Sequence, residues 1–287
     1  AVEQTAEIIF TICAFFAVLA VISITVYMFL NGTPALTKVG LTEILFGTIW
    51  KPTAANPSYG ILYVILTSIV GTTLAILLGV PIGVLTAVFL AETAPEPLSK
   101  IVRPAIELLA GIPSIVYGFF GMVIIVPAVR AVAGVFGADI SGSSILAASI
   151  LLGIMILPTI IGVSEAALRA VPMSYYEGAV AMGARHERAI FTVMVPAAKS
   201  GVLAGIVLGI GRAIGETMAV IMVAGNQPRL TGSMLKGIRT MTANIVLEMG
   251  YATSLHREAL IATGVVLFVF ILLINLAFSV LKRRKEA

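Results

Sequence analysis

Two ionisable side chains stand alone in a long apolar run. From Val202 to Val223 the only formal charges are Arg212 and Glu216, in the stretch Gly209-Ile-Gly-Arg212-Ala-Ile-Gly-Glu216-Thr-Met218. A guanidinium presents planar donors that match the oxygens of an oxyanion two at a time. A carboxylate four residues on is predicted to lie above it on one helix face. An ionised side chain near a bilayer centre costs about 2.5–3.5 kcal/mol on insertion scales, and a helix that only had to span would carry Leu at both places. The residues support two readings. One is an ion pair that fixes packing. The other is an arginine on a translocation path that neutralises an anion, with Glu216 as its counterweight when the path is empty. Intramembrane charges are functional by default, which favours the second.

Other polar residues near apolar runs are weaker candidates. Ser114 follows Pro113, where backbone donors are left free, and Thr217 adjoins Glu216. These two join the candidate pathway, although they and Asn226 also read as packing residues that hydrogen-bond between helices. His186 and His256 lie in separate polar stretches without Cys or carboxylate neighbours at metal-ligand spacing, so both are predicted to be surface histidines and no metal site is expected. The Gly-x4-Gly-Lys-Ser/Thr loop that cradles ATP is absent from the sequence, and so is any nucleophile or paired-acid constellation. The reading is therefore of a chain that is not an enzyme, binds no cofactor, and takes its energy from elsewhere.

The elements that would position these residues are membrane spans. Hydrophobic residues make up 59% of the 287 and charged residues 11%, far below the roughly 25% of soluble domains. The mean hydropathy is +1.10. Six spans are predicted, at about 8–30, 61–90, 108–129, 145–163, 202–223 and 260–281, within a single transmembrane domain covering 1–287. Asn31-Gly-Thr-Pro34 is read as the turn that ends the first, and Gly79-Val-Pro81-Ile-Gly83 as a kink or early exit in the second. Trp50 and Tyr59 are placed at the membrane interface. The run Ile8–Leu30 is too long for a signal-peptide core and is read as a retained span; because the sequence starts at Ala1, a preceding piece is expected to be missing.

Six spans put both termini on one side. Lys282, Arg283, Arg284 and Lys285 follow the last span directly, which places that side in the cytoplasm of a multi-pass cell-membrane protein. The loops add modest support, with ten Lys/Arg on the predicted inside and seven outside. No basic face carries interleaved aromatics, so nucleic acid is not expected as a partner; the lipid bilayer is. The segment Gln227–Glu258, with Arg229, Lys236, Arg239, Glu248 and Arg257, reads as a solvated outer loop, or as the surface a soluble binding protein would touch.

Between the fourth and fifth spans, Met173–Met182 predicts a short helix capped by Ser174 with Glu177 three residues on. Gly183 stands where that helix would end and the chain reverse, and Arg185–Val195 predicts a second short segment. Residues 171–198 thus read as a helix pair lying on the membrane face and offering a knob to a soluble partner. Glu177, Gly178, Ala179, Gly183 and Pro196 stand at the spacing of the EAA loop of bacterial ABC importer permeases, Glu-Ala-Ala-x3-Gly-x9-Ile-x-Leu-Pro, with Gly178, Val193 and Val195 as its departures. The run Arg212-Ala-Ile-Gly-Glu216-Thr217-Met218 is similar to the Arg-Ala-x-Gly-Glu-Thr signature of phosphate importer permeases. The following Met218-Ala-Val and Ala224-Gly-Asn226 resemble the PstC-type more than the PstA-type subunit, and Leu109-Ala-Gly-Ile-Pro113-Ser114 and Thr240–Gly250 are also similar to stretches of that subfamily.

The resemblance implies an all-α permease of six transmembrane helices with the ABC type I importer fold, in which 171–198 docks into the ATPase. It implies a second homologous permease subunit of PstA type, two ATPase subunits that hold the ATP and Mg, and a soluble phosphate-binding protein. The substrate would be inorganic phosphate, with another oxyanion, molybdate or sulfate, as the alternative and an ion-coupled secondary transporter as a more distant one. Arg212 and Glu216 lie about 16 and 20 residues beyond Pro196. One rigid helix of roughly 24–30 Å is expected to connect them to the loop.

Overall fold

Apolar runs become long helices in the computed structural model of the chain, which describes the backbone of residues 2–229 and 231–286 and the side chains of 5–229, 231–278 and 280. Among the described residues five helices are long and apolar enough to cross a membrane, or six if one pair bent by 71° counts as one span. The side chains of Lys282, Arg283, Arg284 and Lys285 lie outside the described residues. The chain divides into two compact units, Ala1–Leu62 with Asn244–Phe270, and Tyr63–Ala243 with Ile271–Ala287.

In the first unit, α1 runs from Val2 to Lys38, straight through the predicted stop at Asn31–Pro34. Side chains satisfy the backbone there: Asn31 Nδ2 donates to the Tyr27 carbonyl at 2.9 Å, and the Thr33 hydroxyl donates to Phe29. Gly32 is a packing residue instead of a turn. A Cβ on it would stand 3.0 Å from Val265 and 3.2 Å from the Ala262 backbone of α12 (Ser254–Glu286). The apolar side chains from Ile8 to Leu30 are exposed on the isolated chain, as lipid-facing residues are. A short helix α2 (Leu41–Phe46) and a two-stranded hairpin, β1 (Trp50–Lys51) against β2 (Ser58–Tyr59), follow.

The second unit is built on α6 (Ile145–Arg169), whose apolar window is two-thirds buried. Ser144 caps it, its hydroxyl accepting from the Ala147 N–H. Against α6 lie α3 (Leu62–Thr93) and α9 (Lys199–Gly215). Gly79 and Gly83 of α3 sit on Ile156 and Ile160, where added Cβ atoms would stand 2.7 and 2.9 Å away, so that stretch is a packing surface and the helix continues past it. On α9, Gly201, Gly205 and Gly209 repeat every fourth residue against Ala167, Ser164 and Ile160. Such small-residue stripes let two helix backbones approach closely where no water drives them together.

The third span begins later than the hydropathy suggests. An amphipathic helix α4 (Glu96–Gly111) ends at Ile112-Pro113, and the span α5 (Ser114–Val135) starts beyond it. Ile112 is forced extended by the proline that follows (φ −68°, ψ 127°), so Leu108 belongs to the separate helix. After α6 come α7 (Met173–Ala181) and α8 (His186–Ala197), then α9, α10 (Met218–Val223), α11 (Met241–Met249) and α12.

Candidate functional site

The predicted fifth span is broken where its charges lie. Helix α9 ends at Gly215; Glu216 is extended (φ −67°, ψ 132°), and α10 begins two residues later. Arg212 and Glu216 are therefore not stacked on one helix face. The Glu216 carboxylate turns forward instead: its Oε1 accepts the Thr217 N–H at 3.0 Å and the Ala219 N–H at 3.2 Å, at the start of α10. Those donors have no partner within the helix, and the positive end of its dipole favours an anion. The expected rigid connection to the loop is also absent, because the chain bends by 71° between α8 and α9 as well.

Other groups close the break. The Thr217 hydroxyl donates to the Gly215 carbonyl at 3.1 Å, and the Thr242 hydroxyl donates to the Glu216 carbonyl at 3.0 Å. Thr242 is held in turn by Thr240, 3.1 Å away, at the head of α11. Ser68 of α3 accepts the Met241 N–H at 2.9 Å, and Thr67 donates to the Arg239 carbonyl at 2.7 Å. Irregular backbone at membrane depth is tolerated only where it is buried in protein or lines a polar cavity. Asn226 stays near the far end of α10, its Nδ2 donating to the Ile221 carbonyl at 2.7 Å.

With Glu216 occupied by backbone donors, the Arg212 guanidinium forms no ion pair or hydrogen bond with the described residues; it is half-buried. It lies within electrostatic reach of Tyr117 on α5, whose hydroxyl donates to the Leu109 carbonyl at 2.8 Å. Ser114 is one turn before Tyr117 and half-buried. The next residue, Gly118, packs on α10: an added Cβ would stand 3.0 Å from the Ala219 backbone. Arg212, Glu216 and Thr217 thus gather at one break, with Ser114 on the adjoining end of α5. Thr67, Ser68, Thr240 and Thr242 are additions that the sequence reading missed. Their signal was hydroxyl pairs beside an apolar segment, Thr67-Ser68 and Thr240-x-Thr242.

Residues 171–198 form the predicted helix pair with a different cap. Pro172 occupies the cap position and Ser174 lies inside α7; no side-chain cap bond forms, and Glu177 is exposed without an ion pair among the described residues. Proline sets the extended geometry that a capping serine would otherwise adopt. Gly183 has φ +88°, the left-handed geometry that glycine adopts without strain, and ends α7 as expected. Its N–H donates to the Val180 carbonyl at 2.9 Å, and Ala184 donates to Ala179 at 3.1 Å. Ala179 is buried, Gly178 is open, and Pro196 is exposed in the last turn of α8. Tyr176 Oη and His186 Nδ1, 2.8 Å apart, clip the two helices together. Met173, Tyr175, Val180 and Met182 project an exposed apolar knob.

A second cluster lies in the first unit. His256 is buried, its Nε2 2.8 Å from Glu248 Oε2, and Trp50 Nε1 donates to the same oxygen at 2.9 Å. Trp50 and Tyr59 meet edge to face and are buried. Burial pushes the Tyr59 phenol above its ordinary pKa. Asn244, Glu248 and Ala252 are buried too, so this part of 227–258 is packed, whereas Gln227, Pro228, Arg229, Met234 and Lys236 are exposed as a solvated loop would be.

The sequence profile of the family described as binding-protein-dependent transport system inner membrane component matches residues 79–287, which include the loop and the break. The chain belongs to this family. Among its relatives, the probable ABC transporter permease protein YqgH of Bacillus subtilis is 39% identical over 291 residues, covering 99% of this chain and 92% of that protein. The phosphate transport system permease protein PstC of Xylella fastidiosa is 34% identical, covering 92% and 85%. The probable phosphate permease PstC of Methanocaldococcus jannaschii is 32% identical, covering 91% and 87%. The chain is an ABC importer permease of PstC type. Its fold is shared by the permease in a bacterial alginate ABC transporter (TM-score 0.63, 17% identity, 94% of each chain) and in the methionine transporter MetNI (TM-score 0.61, 20% identity, 78% and 95%). As a permease of this family it works with ATPase and substrate-binding partners.

Proposed function

We propose that this permease is one half of the membrane channel of an ATP-driven phosphate importer. A guanidinium left unpaired at a broken membrane helix supports the reading, together with relatives named as phosphate permeases. An anion entering the break meets Arg212 while Glu216 is engaged by backbone N–H groups. Because the carboxylate stays close by, the site attracts phosphate without trapping it. Ser114 and Thr217 supply hydroxyls on either side.

In this reading Glu177, Gly178, Ala179, Gly183 and Pro196 belong to the surface that docks into the ATPase. The chain binds no cofactor of its own; ATP and Mg belong to two ATPase subunits. A PstA-type permease completes the channel, and a soluble phosphate-binding protein delivers the substrate on the outer face, with both termini in the cytoplasm. ATPase closure pushes on α7 and α8. The bend at Ala198 and the break at Glu216 are the joints about which the helices rock to switch access.

The test is uptake by the reconstituted complex, with labelled phosphate in competition with sulfate and molybdate. Inhibition by unlabelled phosphate alone, lost without the ATPase, is expected. Equal competition by sulfate or molybdate, or uptake without the ATPase, would overturn the assignment.

A further inference from the structure

A charge node, with Glu165 mostly buried and Arg103 and Arg169 partly exposed, stands where the ends of α3 and α6 meet α4 beside the coupling loop. The last turn of α3 is wound wide, with the Ala94 N–H donating to the Phe89 carbonyl at 2.7 Å. In that register the Leu90 carbonyl faces residue 95, a proline without an N–H. Two guanidinium groups fill the gap: Arg169 of α6 donates to it at 2.8 Å and Arg103 of α4 at 3.3 Å. Both are also ion-paired to one oxygen of Glu165, Arg103 Nε at 2.7 Å and Arg169 Nε at 3.0 Å. Arg103 Nε lacks hydrogen-bond alignment despite its distance, so charge more than direction holds it.

The count of partners makes the node reversible. Arg169 and Glu165 are four residues apart on α6 and remain paired if α4 withdraws. Arg103 has its own reserve four residues on, Glu107, which is exposed and has no ion pair among the described residues. Arg103 and Glu107 line the same two pockets, of about 630 and 270 Å³, which leave room for the side chain to swing. Lys100 is engaged by Glu96 at 3.5 Å. Parting α4 from α6 therefore leaves no buried charge alone, the usual reason such a contact cannot open.

We propose that Arg103 is an exchangeable latch, paired with Glu165 when α4 is docked on α6 and with Glu107 when it is released, and that the coupling loop works this latch during the ATPase cycle. Its position carries the idea: α6 ends in Arg169, and α7 starts at Met173. The inference rests on the proposed docking of 171–198 on the ATPase and holds whichever anion crosses.

The test uses the assembled complex in nanodiscs, with spin labels at Ile101→Cys and Ala170→Cys and the native thiol removed by Cys13→Ala. Distances are read without nucleotide and with ATP trapped by vanadate. Two distance populations whose ratio changes with nucleotide are expected. Glu165→Gln should favour the long distance and Glu107→Gln the short one, each by about fivefold, the worth of one partly exposed pair. One unchanging distance in the otherwise unmodified complex would overturn the proposal, even if Glu165→Gln fails to assemble. So would a Glu107→Gln population that stays put or lengthens.

Discussion

Replacing Glu216 separates a helix cap from a counter-ion. In the structure its carboxylate accepts two backbone N–H groups, those of Thr217 and Ala219. Glu216→Ala leaves both donors without an acceptor in an apolar span, at about 1–3 kcal/mol each, or about 2–6 kcal/mol together. Glu216→Gln keeps an acceptor oxygen in place and loses only the charge assistance and the dipole interaction, about 1 kcal/mol. At about 2 °C per kcal/mol for a chain of this size, the alanine variant should melt roughly 4–12 °C lower and the glutamine variant about 2 °C lower. The assay is thermal unfolding of the detergent-solubilised complex. If Glu216 served Arg212 instead, glutamine and alanine would behave alike, since each removes the charge. Equal melting temperatures for the two variants would refute the cap.

Substitutions at three further positions probe the surrounding parts. Gly183→Val should uncouple ATP hydrolysis from transport, because the φ of +88° costs a β-branched side chain about 1–2 kcal/mol, whereas Gly183→Asn, which tolerates that geometry, should keep more coupling; ATPase rate per phosphate moved checks this. Gly209→Leu drives atoms into Ile160, 2.9 Å from the first added carbon, and should destabilise the complex by about 1–3 kcal/mol, read as a lower melting temperature. Thr242→Val removes the hydroxyl that donates to the Glu216 carbonyl and should lower stability by about 1 kcal/mol, with a larger proportional loss of uptake.

Much of the architecture was legible because hydropathy reports burial in lipid directly, and the chain has long charge-free runs. Breaks inside such runs were not. Ile112-Pro113 could be placed from proline chemistry, yet apolar Leu108 and Leu109 hid the boundary before it. At Gly215-Glu216-Thr217 no proline marks the interruption, and four-residue spacing made the intact helix the simpler reading. Asn31–Pro34 erred the other way. Its turn-forming residues sit in a continuing helix because Asn31 and Thr33 bond to carbonyls one turn back, while Gly32 admits α12. The His256–Glu248–Trp50 cluster joins residues up to 206 positions apart, and local sequence holds no record of such a meeting. For the site, residue types were readable and partners were not: Arg212 and Glu216 stood out as the only charges of an apolar run, but only the fold shows Glu216 turned toward α10.

Arg212 as the anion-binding group is the central claim, and phosphate uptake by the reconstituted complex bearing Arg212→Gln or Arg212→Lys tests it most directly. The glutamine variant should assemble with the same melting temperature to within about 1 °C, since the native guanidinium has no ion pair to lose, and should take up no phosphate. The lysine variant, keeping the charge without the planar fork, should retain a small fraction of uptake with weaker apparent affinity. Normal uptake by Arg212→Gln would contradict the account.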